Sequence, residues 1–118
     1  MQHVMHEPFR VVNEPGSTSD ETILTIHGAM TSSSATIFVE AIAQVASPRL
    51  ILDLTNVPFV DSMAVGSLVR AFVSCHKSGR KLALVGLTHR VQNVLHLTGI
   101  APLFDTFATV AEAQAALA

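Results

Sequence analysis

Apolar positions along this 118-residue chain switch repeatedly between a period of two and a period near 3.6, and each switch marks an element. Phe9–Val12 is short and apolar enough for a strand, and residues 13–20 are a dense cluster of turn formers. Thr22–His27 alternates, with Ile23, Thr25 and His27 on one face and Leu24 and Ile26 on the other, which predicts a second strand paired with the first. Gly28 ends it, and Thr31–Ser34 offers several N-caps for a helix carrying Ile37, Phe38, Ala41, Ile42 and Val45 and reaching about Ala46. Pro48 stops that helix through the residue before it.

Leu50–Leu54 is almost continuously apolar, the pattern of a parallel strand covered on both faces. A loop over Thr55–Val60 leads to Asp61, a good N-cap for a helix with Val65, Leu68, Val69, Phe72, Val73 and His76 inward and Gly79 at its end. Lys81–Val85 reads as a further strand, and Thr88 opens a third helix with Val91, Val94 and Leu95 inward and Gly99 as its stop. Phe104–Phe107 is a last short strand. Thr109 and Glu112 form a capping box for a closing alanine-rich helix. Strands joined through helices are expected to run parallel.

Composition narrows the class. The chain is 49% apolar and 14% charged, with 7 Lys+Arg against 9 Asp+Glu, consistent with one compact domain. The lone cysteine, Cys75, excludes a disulfide scaffold and fits a reducing compartment. Asp53, Asp61, Arg70 and Lys77 interrupt every apolar run before it reaches the ~20 residues of a membrane span, and residues 1–8 lack the pattern of a signal peptide. A soluble, cytoplasmic domain is expected. With a formal charge of −2 and neither Trp nor Tyr, the chain offers little to nucleic acid.

Candidate chemistry is sparse. His3 and His6 sit in the terminal segment, His27, His76, His89 and His96 lack paired ligand spacing, and no metal site is expected. Cys75 reads as a small hydrophobe. No phosphate loop, nucleophile elbow or catalytic carboxylate pair is present, so no catalytic residue and no cofactor are assigned. The informative segment is Leu50–Val73, a buried strand, a loop, and then an acidic cap and Ser62 on the first turn of a helix. Helix N-termini favour negative charge, so phosphate on Ser62, worth about −1.5 to −2 charge, fits there.

Leu52-Asp53-Leu54 followed by Asp61-Ser62-Met63-Ala64-Val65-Gly66 resembles the strand and acidic-serine motif of STAS domains of the anti-sigma factor antagonist family. Gly79–Val85, Val91–Leu103 and the closing Phe107–Leu117 stretch are similar as well, so the resemblance covers nearly the whole chain. It implies an α/β STAS-like single domain over residues 1–118, with a mixed sheet of four to five strands, about four helices and a mobile segment at 1–8. It further implies a non-enzymatic module that docks on an anti-sigma factor, typically a serine kinase of the histidine-kinase-like ATPase superfamily, and thereby releases a sigma factor.

On that resemblance the docking surface comprises Gly28, Met30 and Thr31 of one loop and Asp61, Ser62, Met63, Ala64, Val65 and Gly66 of the helix start. Three positions depart from the pattern: Met63 stands where the family's usual phosphoacceptor hydroxyl would be, Ala64 replaces a glycine, and Thr31 stands where many relatives carry Asp or Asn. Ser62 is then the candidate phosphorylation site by adjacency. Whether Met63 faces a partner or packs beneath the loop is open from sequence, as is homodimer formation. The alternative is a STAS accessory subunit of an ABC-type lipid transport system or another non-sigma complex.

Overall fold

The computed structural model describes residues 8–118; His3, His6 and most of the segment expected to be mobile lie outside the described residues. One five-stranded sheet runs in the order β1-β2-β3-β4-β5 and carries four α-helices, matching the expected mixed architecture. The strands are β1 (Arg10–Pro15), β2 (Glu21–His27), β3 (Arg49–Asn56), β4 (Lys81–Val85) and β5 (Asp105–Phe107). Only β1 is antiparallel to its neighbour; β2, β3, β4 and β5 pair in parallel. The helices are α1 (Ala35–Ala43), α2 (Ser62–Lys77), α3 (His89–Leu97) and α4 (Val110–Leu117).

The alternation of β3 sorts the core. Leu50, Leu52 and Leu54 face a large cluster with Phe38 and Ile42 of α1, Leu68 of α2 and Val91 and Leu95 of α3. Ile51 faces the other way, onto a smaller cluster with Ala83, Val85 and the α4 residues Ala113 and Leu117. Both faces of β3 are therefore covered where the strand is continuously apolar, as that pattern predicts. At the amino end of the sheet Glu21 is buried; its carboxylate accepts from the Ser17 N–H at 3.0 Å and from Gln114 Nε2 at 2.8 Å, tying α4 to β2.

Four expectations need correction. Strand β1 continues through Asn13, Glu14 and Pro15 because its pairing with β2 extends to Pro15↔Thr22; an edge position tolerates the missing proline N–H. Helix α1 stops at Ala43, and the Val45 carbonyl, instead of continuing a helix, accepts from Arg80 Nη1 at 2.6 Å. The buried stripe of α2 is Ala64, Val65, Ser67, Leu68, Ala71 and Cys75, while Val73 is 40% exposed and His76 is exposed. The small Ser67 and Ala71 of that stripe lie where α1 packs alongside. Finally, Ala101–Leu103 form a 3-10 turn and the last strand begins at Asp105.

Candidate functional site

The loops after β2 and β3 meet at the carboxyl end of the sheet. Met30 and Val60 form an isolated parallel bridge, with the Met30 N–H donating to the Phe59 carbonyl at 3.1 Å and the Asp61 N–H to the Met30 carbonyl at 3.0 Å. Asp61 then uses both carboxylate oxygens: Oδ1 accepts the Ala64 N–H at 2.9 Å, capping α2, and Oδ2 accepts the Ser32 N–H at 3.0 Å. One side chain thus caps a helix and clamps a second loop to it. Ser34 sits at the N-cap position of α1 but gives it no side-chain bond; its hydroxyl turns back, accepting from the Thr31 N–H and donating to the Ala29 and Thr31 carbonyls.

This geometry divides the residues expected to meet a partner. Ser62, Met63 and Gly66 are exposed, Met63 by 60%, and Asp61 and Thr31 are half-buried. Met30, Ala64 and Val65 point into the core at 1%, 1% and 9% exposure, and Gly28 is buried at φ 95°. Those four hold the surface from beneath instead of presenting side chains on it, because bridge pairing turns Met30 inward and helical periodicity turns Ala64 and Val65 onto the sheet. Met63, on the same turn, faces out.

A groove of about 620 Å3 runs between α1 and α2, with Ser62, Met63 and Gly66 on one wall and Ser32, Thr36 and Val39 on the other; Glu40 and Arg70 bring opposite charges to it. Reading the sequence by caps and apolar stripes counts Ser32 only among the cap candidates of α1 and assigns no place in the site to Glu40 or Arg70, since none of them belongs to a core pattern. The hydroxyl run Thr31–Ser34 was the available signal.

Elsewhere the groups are structural. Burial pushes the Cys75 thiol up, only partly offset by Arg80, so it is a packed apolar group and not a nucleophile in waiting. His76 stacks on Phe72 with ring centroids 5.6 Å apart. Among the described residues no three His, Cys, Asp or Glu gather as metal ligands, and no helix is long and apolar enough to cross a membrane.

The family model of the STAS domain matches residues 11–113, and the chain belongs to that family. Its fold is similar to that of an anti-sigma factor antagonist from Mycobacterium paratuberculosis, with a TM-score of 0.83 at 21% identity over 93% of this chain and 94% of that one. It is also similar to the anti-sigma factor antagonist SpoIIAA in its unphosphorylated form, with a TM-score of 0.68 at 21% identity over 90% and 92% of the two chains. The murine Solute Carrier 26 family member A9 anion transporter contains a similar unit: TM-score 0.75, 23% identity, 83% of this chain and 18% of the transporter. At these identities the likeness is one of fold.

Proposed function

We propose that this chain is a non-enzymatic, cytoplasmic anti-sigma factor antagonist, docking on a histidine-kinase-like anti-sigma factor so that a sigma factor is released. The observation that carries the reading is Met63. It is a flexible apolar side chain held 60% exposed on a helix start that Asp61 clamps to the neighbouring loop. An exposed methionine on a rigid frame suits an adaptable docking contact. The fold shared over 90% or more of each chain with two antagonists supports the same reading. Ser62, exposed beside Met63, is the hydroxyl through which phosphate would oppose docking.

The second reading is a STAS module serving a transport assembly. It is favoured by the methionine in place of a hydroxyl and by the similar unit within an anion transporter. Affinity capture of the tagged chain from its own cells, with ATP or ADP and with a Met63→Glu control, separates the two. Under the leading reading the native chain recovers a histidine-kinase-like ATPase and the variant does not. Recovery of permease or ABC-type ATPase subunits in its place overturns that reading.

A further inference from the structure

We propose that the outer edge of β1 pairs with β1 of a second copy of this chain, antiparallel and in one register, so that two sheets join into one; the inference stands apart from the docking reading. Strand β1 closes one side of the sheet, and among the described residues no strand lies beyond it. The Gly16 N–H donates to the Glu21 carbonyl at 2.9 Å, and hydrogen-bonded pairs alternate along an antiparallel ladder from there. Arg10, Val12 and Glu14 therefore turn their backbone groups toward β2, while Val11, Asn13 and Pro15 turn theirs to the open edge. Of these three, Pro15 alone has no N–H to offer. Arg10 and Glu14 are exposed on one face of the strand, too far apart at roughly 13 Å to pair with each other. Neither has an ion pair among the described residues.

Charges and proline on an edge strand ordinarily discourage pairing, but here their positions are self-complementary. A twofold axis that sets Val12 opposite the second copy's Val12 sets Arg10 opposite Glu14 and Glu14 opposite Arg10, so opposite charges meet twice. The same register sets Val11 opposite Asn13, and the outward N–H and carbonyl of each find partners. Pro15 falls opposite Phe9, beyond the end of the strand, and its missing N–H leaves that ladder whole. Sliding by one step to bring Asn13 onto Asn13 puts Val11 against Pro15 and Arg10 against Gly16. Sliding the other way puts Arg10 against Val12 and Glu14 against Pro8. Both lose the charge pairs. Exposed ion pairs add little strength, so their part is to choose the register and the partner, and the backbone ladder supplies the attraction. The axis stands perpendicular to the joined sheet. Helices α1 and α2 of both copies share one face, and the two Met63 surfaces point away from each other.

A single strand pair buries less than the ~1,200 Å2 of a standard interface, so the full chain is expected to associate at concentrations on the order of 100 μM. Sedimentation equilibrium read by refractive index, since the chain has neither Trp nor Tyr, tests this. Arg10→Glu and Glu14→Arg should each raise the dissociation constant at least about tenfold by setting like charges opposite each other twice, and the two changes together should restore it. A chain that stays monomeric up to about 1 mM, well above that range, overturns the proposal. So does a dimer indifferent to the single reversals, or one that the double reversal fails to restore. Cross-linking checks the register without reversing a charge. Val12→Cys lies on the axis, where side chains of the two copies come closest, and should oxidise to a covalent dimer; Glu14→Cys lies some 13 Å along the strand from its own counterpart and should not. The native Cys75 is buried and takes no part. Equal cross-linking of the two variants, or none of Val12→Cys, overturns the register. Because the Met63 surface lies off this edge, a monomeric result leaves the docking reading standing, and a failed partner capture leaves the dimer standing.

Discussion

Asp61 is the residue on which the site turns, because its two oxygens serve two different backbones. Losing an N-cap of this type costs about 1 kcal/mol, and up to ~2 where the cap is well formed. Asp61→Ala also frees the Ser32 N–H, so the expected loss in urea denaturation lies at the upper end. Thr88→Ala, which removes only the single cap on Val91 at 3.2 Å, should cost less. Equal losses would mean that the Ser32 contact adds no stability. Met63 behaves in the opposite sense. Its side chain is 60% exposed on the first turn of α2, where a carboxylate is favourable to the dipole, so Met63→Glu should leave stability within ~0.5 kcal/mol. The same change should weaken partner binding at least tenfold, about 1.4 kcal/mol, in a titration.

At the scale of elements, the turn after β4 depends on Gly86. Its φ of 71° is left-handed, and a Cβ there would run into Thr55 Oγ1 of β3 and approach Thr55 Cα to 3.3 Å. Gly79, at φ 70°, has open space where its Cβ would be. Both Ala variants bear the backbone cost of roughly 1–2 kcal/mol, but Gly86→Ala should lose more in thermal denaturation, the excess measuring the clash with Thr55. Matching losses would show that β3 yields freely. The sequence made the elements legible wherever one periodicity dominated: Leu50–Leu54, the Thr88 cap and the order of strands and helices appear as read, and Thr109 caps α4 through its hydroxyl, although the Glu112 carboxylate accepts from that hydroxyl where a capping box would have it accept from the Thr109 N–H. It was less legible where a distant partner decides. The Val45 carbonyl just beyond α1 is held by Arg80, 35 residues away, and Ser67 and Ala71 of α2 lie against Phe38, Val39 and Ile42 of α1, a contact that an apolar stripe does not reveal. In the site, the exposure of Met63 and the burial of Met30 follow from helix phase and a one-residue bridge, neither of which residue type alone specifies.

Across the whole molecule, the two ends of the sheet carry separable duties. The carboxyl end gathers the Met30–Ser34 loop and the start of α2, whereas the amino end holds the buried Glu21 among Ser17, Arg49 and Gln114. Burial by itself pushes the Glu21 carboxyl up, but the Ser17 N–H, the Gln114 amide, the Ser17 hydroxyl and the Arg49 guanidinium together prevail and hold it below its usual 4.5. A lowered folded pKa means that the unfolded chain binds the proton more readily. The stabilisation is therefore complete above pH 4.5 and drains away as pH falls through the lower folded value. Urea titrations between pH 7 and pH 3 should accordingly show the native chain and Glu21→Gln converging in stability at the acid end; a constant gap would contradict the assignment. Strand β2 spans seven residues, roughly 20 Å, between Glu21 and the loop that carries Met30, so the hydrogen bonds Glu21 makes lie far from the docking surface. Glu21→Gln should thus lower stability at neutral pH with partner affinity intact, and Met63→Glu the reverse. A drop in affinity for Glu21→Gln, measured where it remains folded, would show instead that α4 and the amino end of the sheet take part in docking.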